Sequence, residues 1–196
     1  PTSGFFAAMV PGGKSHVYPA GMAKRLPKSA KLVLQMHYTP GGVAREDTTR
    51  IGFRFAKGEP EREVKTAGAF NPAFAIPPGA ADWEVKSLVP VPFHARILSY
   101  MPHMHLRGKS FRYLIMRPGH ADETILDVPA FDFNWQTPYR LATPQKVPKG
   151  AFLKCVAHFD NSAANPYNPD PTATVRWGDQ TWDEMMIGYV DYVIDP

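Results

Sequence analysis

Two histidines one residue apart, His103 and His105, sit in the run Ser99-Tyr100-Met101-Pro102-His103-Met104-His105-Leu106. On an extended strand, side chains at i and i+2 face the same way, so two imidazoles at this spacing can close on one metal ion. Met104 projects to the opposite face and is a poor ligand. The plain alternative is a solvated pair of histidines on a polar strand face. The remaining donors are His16, His37, His94, His120, His158, Cys155 and the methionines. Among the last, Met185 follows Trp182-Asp183-Glu184 at the start of an apolar run; taken alone it reads as a core residue. Two imidazoles with a thioether would be chemically specific. Imidazole suits copper and zinc, whereas a thioether favours Cu(I). Zinc would take a third histidine or a carboxylate instead.

The elements that must hold these groups are strands. The 196 residues allow one domain or one and a half. The 44% hydrophobic content is enough for a sizeable core, and no apolar run approaches the ~20 residues of a membrane helix. The 21 prolines and 15 glycines fall between short apolar runs, the punctuation of an all-β sandwich or barrel. A net charge of +4 with the signs interspersed, and no basic block beyond Lys24-Arg25, excludes nucleic acid as a partner. One cysteine, Cys155, excludes an intrachain disulfide framework and a Cys-rich zinc site.

The sequence predicts strands over 31–39, 50–55, 63–69, 83–88, 95–105, 111–116, 123–128, 151–159 and 184–194, with a short one near 5–9. Residues 106–110 read as a hairpin turn, and 161–172 as a long polar loop. Phe131, Phe133, Trp135 and Tyr139 alternate as a strand does, as core packing or as the wall of a substrate cleft. The fold expected is an antiparallel jelly-roll β-sandwich over 46–196. Residues 1–45, beginning at Pro1 without an initiator Met, read as the C-terminal end of a preceding jelly-roll domain.

Three collinear runs resemble the copper type II, ascorbate-dependent monooxygenases, the family of peptidylglycine α-hydroxylating monooxygenase and dopamine β-monooxygenase. Leu34-Gln35-Met36-His37-Tyr38 is similar to the strand that gives one ligand of the electron-transfer copper. His103-Met104-His105 through Gly108-Lys109 is similar to the strand carrying two ligands of the catalytic copper. Glu184-Met185 is similar to the segment whose methionine is the third. The resemblance implies a catalytic copper on His103, His105 and Met185, which binds O2 as Cu(I) and hydroxylates a substrate C–H bond. It also implies a second copper to which His37 contributes, and ascorbate or a similar one-electron donor. Tyr189 matches a tyrosine of the substrate cleft; its plain alternative is an ordinary aromatic of the last strand. The implied branch is bacterial, and the implied location periplasmic or secreted.

The chain departs from that pattern at informative places. It has no adjacent His-His pair, so the second copper site is incomplete, with His37 an orphan ligand and His16 a makeshift neighbour. The missing ligands are expected on a domain before Pro1. Met101 stands where peptide-processing relatives carry an arginine that grips a carboxylate, which argues against a peptide C-terminus as the small-molecule substrate. Met186 stands at a disulfide cysteine position, leaving Cys155 a buried free thiol. His94, His120 and His158 read as structural or turn residues. The rival reading is a non-catalytic module of a larger extracytoplasmic protein that binds copper, carbohydrate or a partner. A third is a metal-free sandwich with Met185 in the core.

Overall fold

The computed structural model describes residues 5–10, 13, 15–38 and 41–196 and contains twelve strands and no helix among them. In chain order these are β1 (Met22–Ala23), β2 (Arg62–Glu63), β3 (Lys65–Phe70), β4 (Ala75–Ile76), β5 (Trp83–Pro90) and β6 (Ala95–His103). They continue with β7 (Gly108–Met116), β8 (Glu123–Val128), β9 (Tyr139–Val147), β10 (Phe152–Phe159), β11 (Val175–Arg176) and β12 (Ile187–Ile194). Two four-stranded antiparallel sheets, in the orders β3-β12-β6-β9 and β5-β10-β7-β8, make the body. The expected all-β sandwich is present.

Alternation explains the layering. β10 reads half-buried, buried, half-buried without a break from Phe152 to Phe159, placing Leu153, Cys155, Ala157 and Phe159 in the core. Tyr100 and Met104 on the β6 side meet Phe111, Tyr113 and Ile115 of β7 in the same core. The parity argument for Met104 holds: it is fully buried, on the side away from the histidines. Gly188 permits the closest approach of the two layers, because a Cβ there would lie 2.5 Å from Cys155 Sγ and 2.8 Å from the Tyr113 ring. Cys155 is the buried free thiol expected, and burial pushes its pKa far up.

Several expectations are corrected. Residues 106–110 are not a hairpin turn: β6 and β7 belong to different sheets, and the chain arches between them right after His103. The strand Tyr139–Val147 pairs with β6, whereas Phe131, Phe133 and Trp135 precede it in a loop. The short strand near 5–9 is absent. The runs 31–38 and 50–55 are not in strands either; residues 39 and 40 lie outside the described residues. Their alternation is real, but no sheet edge receives them, and Val33 is 90% exposed. A strand pattern without a partner strand forms no ladder.

The outer face of the β3-β12-β6-β9 sheet is covered near its middle by residues 16–24. Asp191, 8% exposed, is the hub. It accepts hydrogen bonds from Tyr18 at 3.1 Å and Ser99 at 3.3 Å, and one from Thr66. Lys24 Nζ lies 3.2 Å and His16 Nε2 3.6 Å away. His16 is thus engaged at Asp191 rather than beside His37.

Candidate metal centre

The rim where the chain leaves β6 brings the candidate residues together. His103 is the last residue of β6, and His105 lies two residues into the arch. Only the first is on a strand, yet the chain stays extended enough to keep the rings adjacent, with centroids 5.3 Å apart and planes at 81°. With metal–imidazole bonds of about 2 Å, rings at this separation can reach a common ion.

Both rings are oriented through Nδ1. Gln136 Oε1 lies 2.7 Å from Nδ1 of His103, and the Gln136 amide is itself fixed by donation to the Phe133 carbonyl at 3.0 Å. His105 Nδ1 lies 3.2 Å from the Asp183 carbonyl. Each acceptor selects the Nδ1–H tautomer, and the Gln180 carbonyl is a second backbone partner of the His105 ring. Burial, then the neighbouring His105, lowers the pKa of His103 to about 4. Burial also lowers that of His105. Both rings are therefore neutral at pH 7, the form a metal requires.

Met185 lies two residues before Ile187, whose pairing with His103 is the last rung of the β12–β6 ladder, and His105 lies two residues beyond that rung. Their backbones are held by one carboxylate oxygen: Glu184 Oε2 accepts the His105 N–H at 2.8 Å and the Met185 N–H at 3.3 Å. Met185 is half-buried, whereas Met186 is fully buried in the core. The core-residue reading therefore applies to Met186 instead.

Glu184 Oε1 accepts the Arg107 N–H at 2.6 Å. Burial pushes the Glu184 carboxyl up to about 8, while the amide donors and the Arg107 charge pull it back. Each oxygen faces an N–H, which leaves no acceptor for a carboxyl proton; the carboxylate is the form that fits.

Tyr189 pairs with Met101 and with Gly68 on its other side, and its ring lies 6.4 Å from that of His103. Phe5 stacks on it at 5.0 Å, and Phe133 stands edge-on to His105 at 6.4 Å. Of the aromatics read as core packing or a cleft wall, Phe131 packs against the core and Phe133 lies beside His105, both in a loop. His37 is exposed but near enough for its charge to lower the pKa of both site histidines. His94 lies beyond the opposite end of β6, about 30 Å of strand away. His158 pairs with Asp82 at 3.0 Å on the outer surface.

Among the described residues, no three His, Cys, Asp or Glu side chains form a metal cage. Met185, whose backbone N–H shares a Glu184 carboxylate oxygen with that of His105, is a donor of another kind, a thioether. Reading the sequence alone missed Gln136, whose value depends on a loop geometry no spacing encodes. It also missed Glu184, visible only as the polar residue before Met185.

A comparison with curated proteins gives no match. The family model described as copper type II ascorbate-dependent monooxygenase, C-terminal domain, matches residues 64–195, two thirds of the chain. That span begins just before β3 and covers both sheets and the whole histidine rim.

Proposed function

The chain belongs to the copper type II ascorbate-dependent monooxygenases, carrying their C-terminal domain, and on that premise we propose that His103, His105 and Met185 hold the catalytic copper. The observation that carries this reading is the pair of adjacent neutral imidazoles, each with Nδ1 engaged by an oxygen acceptor. Copper bound there supplies one-electron chemistry toward O2, and the thioether favours the reduced ion. The chain's own residues do the rest. Gln136 and the Asp183 carbonyl fix the ring planes, so no reorganisation is needed when the ion enters. Tyr189 and Phe133 flank the rings and offer a substrate apolar surface with one hydroxyl. Met101, opposite Tyr189, offers no charge to a carboxylate, which favours a neutral substrate presenting a C–H bond.

His37 is assigned to a second, electron-transfer copper whose other ligands come from a preceding domain. Residues 1–45 are the end of that domain in this reading. The exposed, strand-patterned run 31–38 supports it, as a strand whose neighbours lie elsewhere. The same reading places the protein outside the cytoplasm, with ascorbate or a similar reductant as electron source.

The test is Cu(I) titration with X-ray absorption at the copper edge, on the parent chain and Met185→Ala. One Cu(I) with two nitrogen scatterers and one sulfur, the sulfur lost in the variant, is the expected result. Absence of stoichiometric copper, or a sulfur signal unaffected by the substitution, refutes the ligand set and leaves the non-catalytic module as the better account.

A further inference from the structure

Two ionisable side chains of opposite type are buried directly behind the histidine rim. Glu184 is 0% and Arg107 1% exposed, and charges at such depth persist only when compensated and hydrogen-bonded. Each guanidinium nitrogen donates to a neutral acceptor: Nε to Asn161 Oδ1 at 2.7 Å, Nη1 to the Trp182 carbonyl at 2.8 Å and Nη2 to the Asp170 carbonyl at 3.4 Å. Asn161 is anchored in turn, donating to the Pro77 and Ala173 carbonyls. The countercharge is Glu184, joined to Arg107 through the latter's backbone N–H.

The network has a geometric result. The Glu184 carboxylate holds the amides of His105, Arg107 and Met185 at once, and Arg107 holds the carbonyl of Trp182. The arch 105–107 and the segment 182–185 therefore cannot move apart without breaking charge-assisted bonds in a dry interior. Those segments carry His105 and Met185. Every side-chain nitrogen and oxygen of Glu184 and Arg107 already has a hydrogen-bond partner, so their effect is exerted through other residues.

We propose that Glu184, with Arg107 as its countercharge, is a positioning residue that fixes the distance between the imidazole of His105 and the thioether of Met185 before any metal arrives. This rests on the ligand set proposed above. Loss of the carboxylate should leave both imidazoles in place, since their Nδ1 partners are Gln136 and a backbone carbonyl, but release the sulfur.

The experiment compares the parent chain with Glu184→Gln, an isostere that keeps the volume but presents an NH2 to one of the amide donors. In the metal-free proteins, hydrogen exchange at the amides of His105 and Arg107 should accelerate selectively, with the core amide of Tyr113 unchanged. With Cu(I), the affinity should fall roughly 10- to 100-fold, and the absorption edge should report two nitrogens with the sulfur lost or weakened. Parent-like exchange, or parent-like affinity with the sulfur retained, overturns the proposal. Should Glu184→Gln fail to fold, the double variant Glu184→Gln/Arg107→Met removes both buried charges together, and retention of the sulfur in it is equally decisive. If the parent chain itself shows no copper–sulfur contact, the ligand set has failed; the amide exchange then judges Glu184 alone.

Discussion

His103 and Gln136 are joined side chain to side chain, with Nδ1 and Oε1 2.7 Å apart. Gln136 is 5% exposed and lies in the loop before β9, so a loop residue decides which nitrogen of a strand residue is free. Gln136→Ala leaves the ring N–H without a partner, at about 1–3 kcal/mol of stability in the metal-free protein. Cu(I) affinity should drop about 10- to 100-fold. Titration with a competing Cu(I) chelator measures it; unchanged affinity would show that the ring is held by packing alone.

Acid should weaken the metal-free fold in a defined window. His103 titrates near 4 in the folded chain against an ordinary 6.5. Between those values the unfolded chain binds a proton that the folded chain refuses, so this ring's contribution to stability is fully present above about 6.5 and is lost as the pH falls toward 4. His105 is shifted in the same direction. From pH 7 to 4.5 the urea midpoint of the parent chain should fall relative to that of His103→Gln. Parallel slopes in the two proteins would remove His103 as a cause.

Gly188 is a packing requirement of the fold. Gly188→Ala forces a methyl group to within 2.5 Å of Cys155 Sγ and 2.8 Å of the Tyr113 ring, and overpacking of this kind costs about 1–3 kcal/mol. The neighbours Ile187 and Tyr189 face the histidine rim, so the backbone shift should also disturb copper binding. Thermal unfolding of Gly188→Ala and of Gly188→Ala/Cys155→Ala tests this, since removing the sulfur should restore part of the loss. Equal melting temperatures in the parent chain and Gly188→Ala would show that the layers can separate freely.

Cys155 should be inert while the protein is folded. It is fully buried and its thiol is held well above the usual range, so little thiolate exists to react. A thiol reagent should modify it only as fast as the chain opens, with the rate rising in urea. Prompt stoichiometric labelling in buffer would contradict the packing described here.

The parts legible in the sequence are those set by period. β8 falls on its expected span, β5 and β10 within two residues of theirs and β7 within three, and the parity of Met104 against His103 follows from alternation alone. The illegible parts depend on which strands meet. Residues 31–38 have as good a strand pattern as β5, yet a strand exists only against a neighbour, and none is present for them. The β6–β7 arch looks like a hairpin because Arg107-Gly108 suits a turn, while the burial of Arg107 behind Glu184 has no local signature. Gln136 was missed for the same reason: its partner lies 33 positions away.

His105 and Glu184 are 79 positions apart, and β6 pairs with the last strand of the chain. During synthesis both histidines are exposed on the nascent chain well before the segment bearing Met185 emerges, and long-range strand pairing is among the slower steps of folding. Under the proposed ligand set, two of the three donors thus exist before the thioether that would favour copper. In that reading, selectivity for the metal is acquired only when β12 docks against β6, so loading with copper follows that long-range pairing.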